Sequence, residues 1–407
     1  MAARTQVQTR IAALDGLRAL AALSVLGLHV WYASGRPQLD TPVGPFATTL
    51  LAAGYVGVDF FFVLSGFVLF LPVCLNSGEF GSVRTYALRR AARILPLYWT
   101  TLVVSMLGLR LFTAEPQASA HLGANLFLHL TFLFHPIASL TGLMEGFGAN
   151  KVVWTLSLEV LFYLLLPLVA TRFYRRPELW FGILVAISFL WRFDMTTLAN
   201  PNSQAGPTVI GIALIAELPT YLTHFALGMG AAWLYASTAE DADLQRAALW
   251  VLGFGAVGVV WGTHLLGIDQ IYKTGTPYGQ FTATLPVTVA FTCVLLGLLL
   301  GPRWVRLPLE HVVLRRLGRI SYGIYLWHFL VIAFLATNVP LPRDGSKPFV
   351  LWYALVLTAT LTLAWASHVT IERPAIRWAH ARTSGGSAED EKPEPPDPDR
   401  SGGAHDA

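Results

Sequence analysis

The chain has 407 residues, 54% of them hydrophobic and only 13% charged, with a formal net charge of +4. Soluble domains carry about 25% charged residues, so a water-exposed exterior is excluded and a bilayer must cover most of the surface. The charge is uneven: from Glu389 onward seven acids face Lys392 and Arg400, a net of −5, which leaves +9 on the rest.

Ten apolar runs are predicted to cross the membrane: 17–32, 56–75, 94–112, 152–173, 179–191, 221–236, 247–267, 282–301, 320–337 and 351–369. Each should be helical, because lipid offers backbone groups no other partner. Several fall short of the roughly 20 residues a crossing needs, and flanking Thr, Tyr and Trp complete them. The first run follows no small-residue cleavage site and carries Arg18 and His29, so it reads as retained rather than as a signal peptide. Segment 122–134, with Asn125 and His129, is ambiguous, and arginine counts decide it. If it does not span, Arg84, Arg89, Arg90 and Arg93 share a side with Arg172, Arg175 and Arg176, with Arg303, Arg306, Arg315, Arg316 and Arg319, and with Arg373, Arg377 and Arg382. The positive-inside rule then puts both termini in the cytoplasm and makes 122–134 a re-entrant or interfacial helix. Loop 237–246 dissents, carrying Glu240, Asp241 and Asp243 against Arg246.

The expected fold class is thus all-α: a polytopic membrane helical bundle of about ten transmembrane helices plus one short re-entrant or interfacial helix. Residues 1–382 form the membrane domain, and 383–407 an acidic, Pro- and Gly-rich cytoplasmic tail without an apolar anchor, expected to be disordered. No fixed-period repeat is visible. Cys74 and Cys293 lie in apolar runs without metal-ligand spacing and read as buried hydrophobes. No metal site and no nucleic-acid partner are expected.

Ionisable residues inside a span are costly and signal function or a buried partner. In LDGLRALAALSVLGLHVWY, Arg18 and His29 are eleven residues apart, three turns plus about 20°, and so project from one face. The rise between them is roughly 16 Å. A cation at the mouth and an imidazole deep below suit a long anionic ligand; snorkelling of Arg18 and a backbone bond from His29 would give the same pattern. Asp15 is placed to pair with Arg18. In GYVGVDFFFVLSGFVLF, Asp59 and Ser65 interrupt the apolar run, and His29 and Arg18 are the expected partners of Asp59. Arg89, Arg90 and Arg93 sit within one turn at the head of the third span, where they set topology or grip phosphates. Glu159, with Tyr163 one turn below, reads as a group that orients an imidazole, binds an acceptor or simply pairs an arginine. Tyr322, Tyr325 and His328 run at i, i+3, i+6, a hydrogen-bonding wall or an interfacial belt.

Six blocks taken in order, LDGLRALAALSVLGLHV, VGVDFFFVLSGFVL, RTYALRRAARILPLYW, WTLSLEVLFYLLLPL, ISYGIYLWHF and IERPAIRW, resemble the membrane-bound acyltransferase family 3 in its standalone form. They span residues 14 to 378. The resemblance implies an O-acyltransferase that takes its acyl group from acyl-CoA, in first place acetyl-CoA, as co-substrate. The acceptor would be a hydroxyl of a carbohydrate such as a polysaccharide, or of a macrolide-type product. It makes His29 the catalytic base, and Arg18 with Arg89, Arg90 and Arg93 the CoA-binding set. Asp59 or Glu159 would then hold the imidazole tautomer, and Ser65, Tyr163, Tyr322, Tyr325 and His328 would line the substrate side. No cofactor is bound permanently in this scheme. The rival readings are a transporter or flippase with the same buried charges along its path, and a membrane scaffold or receptor. Missing repeats count against the first, and short loops against the last.

Overall fold

The computed structural model describes residues 11–105, 122–135, 137, 150, 152–199, 216–238, 242–272 and 277–383. Among the described residues every regular element is helical. In chain order the α-helices are α1 (Ala12–Ala33), α2 (Gly44–Ala52), α3 (Val56–Leu75), α4 (Val83–Val103), α5 (Leu122–Leu130), α6 (Trp154–Arg175) and α7 (Pro177–Ala199). They continue with α8 (Leu218–Thr238), α9 (Ala242–Tyr272), α10 (Pro277–Leu300), α11 (Val312–Arg319), α12 (Ser321–Asn338), α13 (Ser346–Ser367) and α14 (Arg373–Thr383). A π-helical turn, His368–Glu372, joins α13 to α14. The acidic stretch from residue 384 onward lies outside the described residues, as do Glu240 and Asp241 of the dissenting loop.

Among the described residues seven helical stretches are long and apolar enough to cross a membrane: α1, α3, α6, α9, Ala283–Leu300 of α10, α12 and Ser346–Thr383. They coincide with seven of the ten predicted runs. The other three runs fall on α4, α7 and α8, which carry more polar residues: Arg89, Arg90 and Arg93 on α4, Arg192 and Asp194 on α7, His224 on α8. On α9, Trp250, Phe254, Val257 and Trp261 are well exposed at helical spacing, an apolar stripe that only lipid can cover. The chain is an all-α, multi-pass membrane bundle. Helix α5 has nine residues, about 14 Å of rise against a hydrocarbon core of about 30 Å, so it does not cross. After it the chain turns back at Phe132 (φ 60°). That turn is pinned by Tyr98, whose hydroxyl donates to the His129 carbonyl at 2.9 Å, and by Ser157, whose hydroxyl donates to the Phe132 carbonyl.

The apolar interior has two halves. One is built from α3, α6, α8 and α10, the other from α1, α4, α12 and α13. Two close approaches set the rotation of the helices that matter for the site. A Cβ on Gly66 would sit 2.3 Å from the Phe225 carbonyl oxygen, and one on Gly228 2.1 Å from that of Val63, so α3 and α8 touch backbone to backbone. At Gly318 a Cβ would lie 1.9 Å from the Asp15 carbonyl oxygen, which clamps α11 against the first turn of α1. The first contact turns one face of α3 to α8; the second brings the α11 arginines beside Arg18.

Candidate active site

Five helices surround a polar cavity of about 110 Å³ where the two halves meet. Arg18 comes from α1; Val58, Phe61 and Ser65 from α3; Arg90 and Arg93 from α4; Thr155, Glu159 and Tyr163 from α6; Ser321, Tyr322 and Tyr325 from α12. The cavity opens into a vestibule of about 820 Å³, and Arg18, Val68, Arg90 and Arg93 line both. The vestibule adds Arg89 from α4, Arg316 and Arg319 from α11, and Arg373, Arg377 and His380 from α14. The last five residues had been read as topology-setting charges or not singled out. Distant turns of chain bring them together, and only their shared side of the membrane hinted at it.

The α4 register explains the throat. Ser82 caps the helix, its hydroxyl accepting from the Thr85 amide at 3.2 Å, and the arginines follow on the next two turns. Arg89 Nε donates to the Thr383 hydroxyl at 3.0 Å. Arg93 lies 3.9 Å from Glu372, a carboxylate 1% exposed at the end of the π-turn, with His368 Nδ1 3.6 Å from the same oxygen. Arg90 Nε is buried without a hydrogen-bond partner. Arg18 sits 3.7 Å from Asp15, the predicted local pair. A buried donor left unmade costs about 1–3 kcal/mol, more for a charged group; both Glu372 carboxylate oxygens likewise lack a hydrogen-bond partner.

Deeper in the cavity, Glu159 Oε1 accepts from Ser65 at 3.0 Å and from Tyr163 at 2.5 Å. Tyr322 donates to the Ile94 carbonyl at 2.9 Å. The Tyr325 hydroxyl donates to the Val152 carbonyl at 3.0 Å, which leaves its lone pairs for Thr155 at 2.8 Å. Both tyrosines line the cavity as the wall reading expects, with their protons already committed to main-chain carbonyls.

His29 and His328 lie outside this lining. A small cluster of Val25, Val152 and Tyr325, with Val58, Phe61 and Phe329 packed against it, touches both lining and histidines. Val58, Phe61 and Tyr325 face the cavity, while Phe329 meets the His29 ring edge-on at 5.6 Å. Beyond this layer His29 Nδ1 donates to the Val25 carbonyl at 2.9 Å and lies 3.2 Å from His328 Nε2. His29 keeps partial exposure, whereas His328 is 1% exposed.

The expectation that Asp59 or Glu159 orients His29 is therefore corrected. Asp59 lies 2.8 Å from His224 Nε2, because the Gly66–Gly228 contact turns that face of α3 to α8 and away from α1. Glu159 is held by Ser65 and Tyr163. His328, expected in the same wall as Tyr322 and Tyr325, meets His29 instead. His224 is hidden in the sequence because LPTYLTHFALGMG reads as plain apolar helix, and Glu372 because the predicted run 351–369 ends before it.

The site is thus an arginine-lined mouth over a smaller cavity inside a helical membrane bundle. The sequence model of the acyltransferase domain matches residues 11–369, and the chain belongs to that family. It is 24% identical to the peptidoglycan O-acetyltransferase OatA of Listeria monocytogenes over 89% of its own length and 55% of that protein's. Against the acyltransferase MdmB of Streptomyces mycarofaciens identity is 28%, covering 90% of this chain and 92% of the relative. Nodulation protein 10 of Rhizobium leguminosarum bv. viciae is 26% identical, covering 89% and 92%. The chain thus spans about half the length of the first relative and nearly all of the other two. No solved structure matches significantly. Family membership makes the chain a membrane acyltransferase.

Proposed function

We propose that this transferase takes an acyl group, in first place acetyl, from acyl-CoA bound at the arginine-rich end and passes it to a hydroxyl of a glycan or natural product, with His29 as general base. The observation that carries the reading is Arg90. It lines both vestibule and cavity beside Arg18 and Arg93, and its buried Nε lacks an acceptor that a phosphate oxygen supplies. The arginine-rich end faces the cytoplasm in this reading, as the positive-inside rule requires, which is where acyl-CoA is made available. A glycan acceptor accords with the peptidoglycan named for OatA.

The phosphates rest on the arginines, and the pantetheine arm enters the cavity with its thioester leading. The thioester meets His29 only when the Val58–Phe61–Tyr325 layer parts. Neutral His29 then removes the acceptor's hydroxyl proton through Nε2 as the oxygen attacks the thioester carbonyl. The tetrahedral intermediate expels the CoA sulfur, which takes back the proton, and an ester and free CoA result. General-base help of this kind is worth roughly 10²–10⁴-fold.

The test is purified protein in nanodiscs with acetyl-CoA and a panel of glycans and macrolides, followed by thiol release and mass of the product. Turnover that His29→Ala abolishes while acetyl-CoA still binds is the expected result. Uptake in proteoliposomes without thioester cleavage would replace the enzyme with a carrier.

A further inference from the structure

We infer that His328 is the positioning residue of the reaction: its lone pair, with the Val25 carbonyl, fixes His29 in the tautomer whose Nε2 is bare and faces the acceptor. The inference rests on the reading of His29 as base. It adds a residue in direct contact with that base and removes carboxylates from the orienting role.

Hydrogen-bond chemistry determines the tautomers. A backbone carbonyl only accepts. His328 Nδ1 is 3.1 Å from the Ile324 carbonyl, so Nδ1 carries the proton and Nε2 holds a lone pair. His29 Nδ1 is 2.9 Å from the Val25 carbonyl, so it too carries its proton. The remaining contact, 3.2 Å between His328 Nε2 and His29 Nδ1, is then a lone pair facing an N–H. The three bonds are consistent with one assignment only, and both bonds within a helix are to the carbonyl one turn back. What is left over is His29 Nε2, which has no partner among the described residues.

Steric access divides the roles. His328 is 1% exposed and is packed by Tyr325, ring centroids 5.8 Å apart, so no substrate atom reaches it. His29 stays partly exposed, its ring centroid 5.0 Å from that of His328 at 50°. When Nε2 takes a proton, His29 becomes a cation whose Nδ1–H already points at two acceptors, the carbonyl and the imidazole. A neutral acceptor suits the apolar surroundings better than a carboxylate, since a buried unpaired charge is heavily penalised whenever its partner is neutral.

The experiment compares wild type, His328→Ala and His328→Gln in nanodiscs, with two readouts. The Gln amide oxygen reaches where His328 Nε2 stands and accepts the same proton. Thiol release from acetyl-CoA should fall about 10²-fold in kcat for His328→Ala, the scale of a misplaced reacting group, with KM for acetyl-CoA unchanged, and His328→Gln should recover most of the loss. Nitrogen-15 NMR of histidine-labelled protein should show His29 as a single Nδ1–H tautomer in wild type and a mixture in His328→Ala. Wild-type turnover in His328→Ala, equal loss in Ala and Gln, or a His29 signal that stays single in His328→Ala would overturn the inference. If wild type releases no thiol, the acyltransfer reading falls, and the NMR comparison, which needs no activity, still decides the histidine pair.

Discussion

The two ends of the site treat their polar groups in opposite ways. At the vestibule, arginines from α1, α4, α11 and α14 converge, and Arg90 Nε stays unsatisfied; Glu372 is the buried carboxylate among them. Beyond the Val58–Phe61–Tyr325 layer, each imidazole nitrogen of the histidine pair but one has a partner. An unmet donor invites a ligand, while a reactive atom is aimed by satisfying everything around it. The first end keeps a donor unmet, and the second has fixed every nitrogen but one.

The contrast can be broken in order of effect. Replacing His29 by Ala removes the one free nitrogen and should lower kcat by about 10²–10⁴-fold, read as thiol release, with acetyl-CoA affinity kept by equilibrium binding. Asp59→Ala probes the carboxylate that sequence spacing offered to His29. Because Asp59 lies against His224 between α3 and α8, the expected loss is in stability, about 1–3 kcal/mol for a buried polar group left without its partner, seen as a lower Tm in detergent. The kcat of the folded fraction should stay within about threefold. A kcat collapse without a Tm shift would return Asp59 to the base. Joint replacement of Arg90 and Arg93 by Ala should raise KM for acetyl-CoA by roughly 10²-fold, at about 1.5–3 kcal/mol per charged bond, with kcat retained. The smallest effect is ionic: raising salt from about 0.05 to 0.5 M should raise the wild-type KM several-fold, and the double variant should lose most of that sensitivity.

Much of the fold was legible because lipid leaves helices few choices: apolar length announced α1, α3, α6, α9, α10, α12 and α13 directly. The Arg18–His29 spacing and the Asp15–Arg18 pair were also readable, since both lie on one helix whose periodicity is fixed. Pairings between helices were not. Asp59 had two plausible partners in the sequence, His29 and Arg18, and the tight glycine contact with α8 selected a third, His224. His328 looked like part of a tyrosine wall because i, i+3, i+6 drifts only slowly around a helix; that drift turns Tyr322 and Tyr325 to the cavity and His328 to α1. The α11 and α14 arginines carried a topological signal that masked their second role as vestibule lining.

The apolar layer between cavity and histidines has a consequence for the cell as well as for the chemistry. A passage wide enough for a pantetheine thread, if wetted from end to end, would conduct protons and drain the gradient across the membrane. Val58, Phe61 and the Tyr325 ring offer apolar surface of the kind that dewets narrow constrictions in channels. An apolar chain parts such a layer at lower cost than a hydrated ion does, so under the proposed reaction the same side chains would admit a thioester and hold back ions.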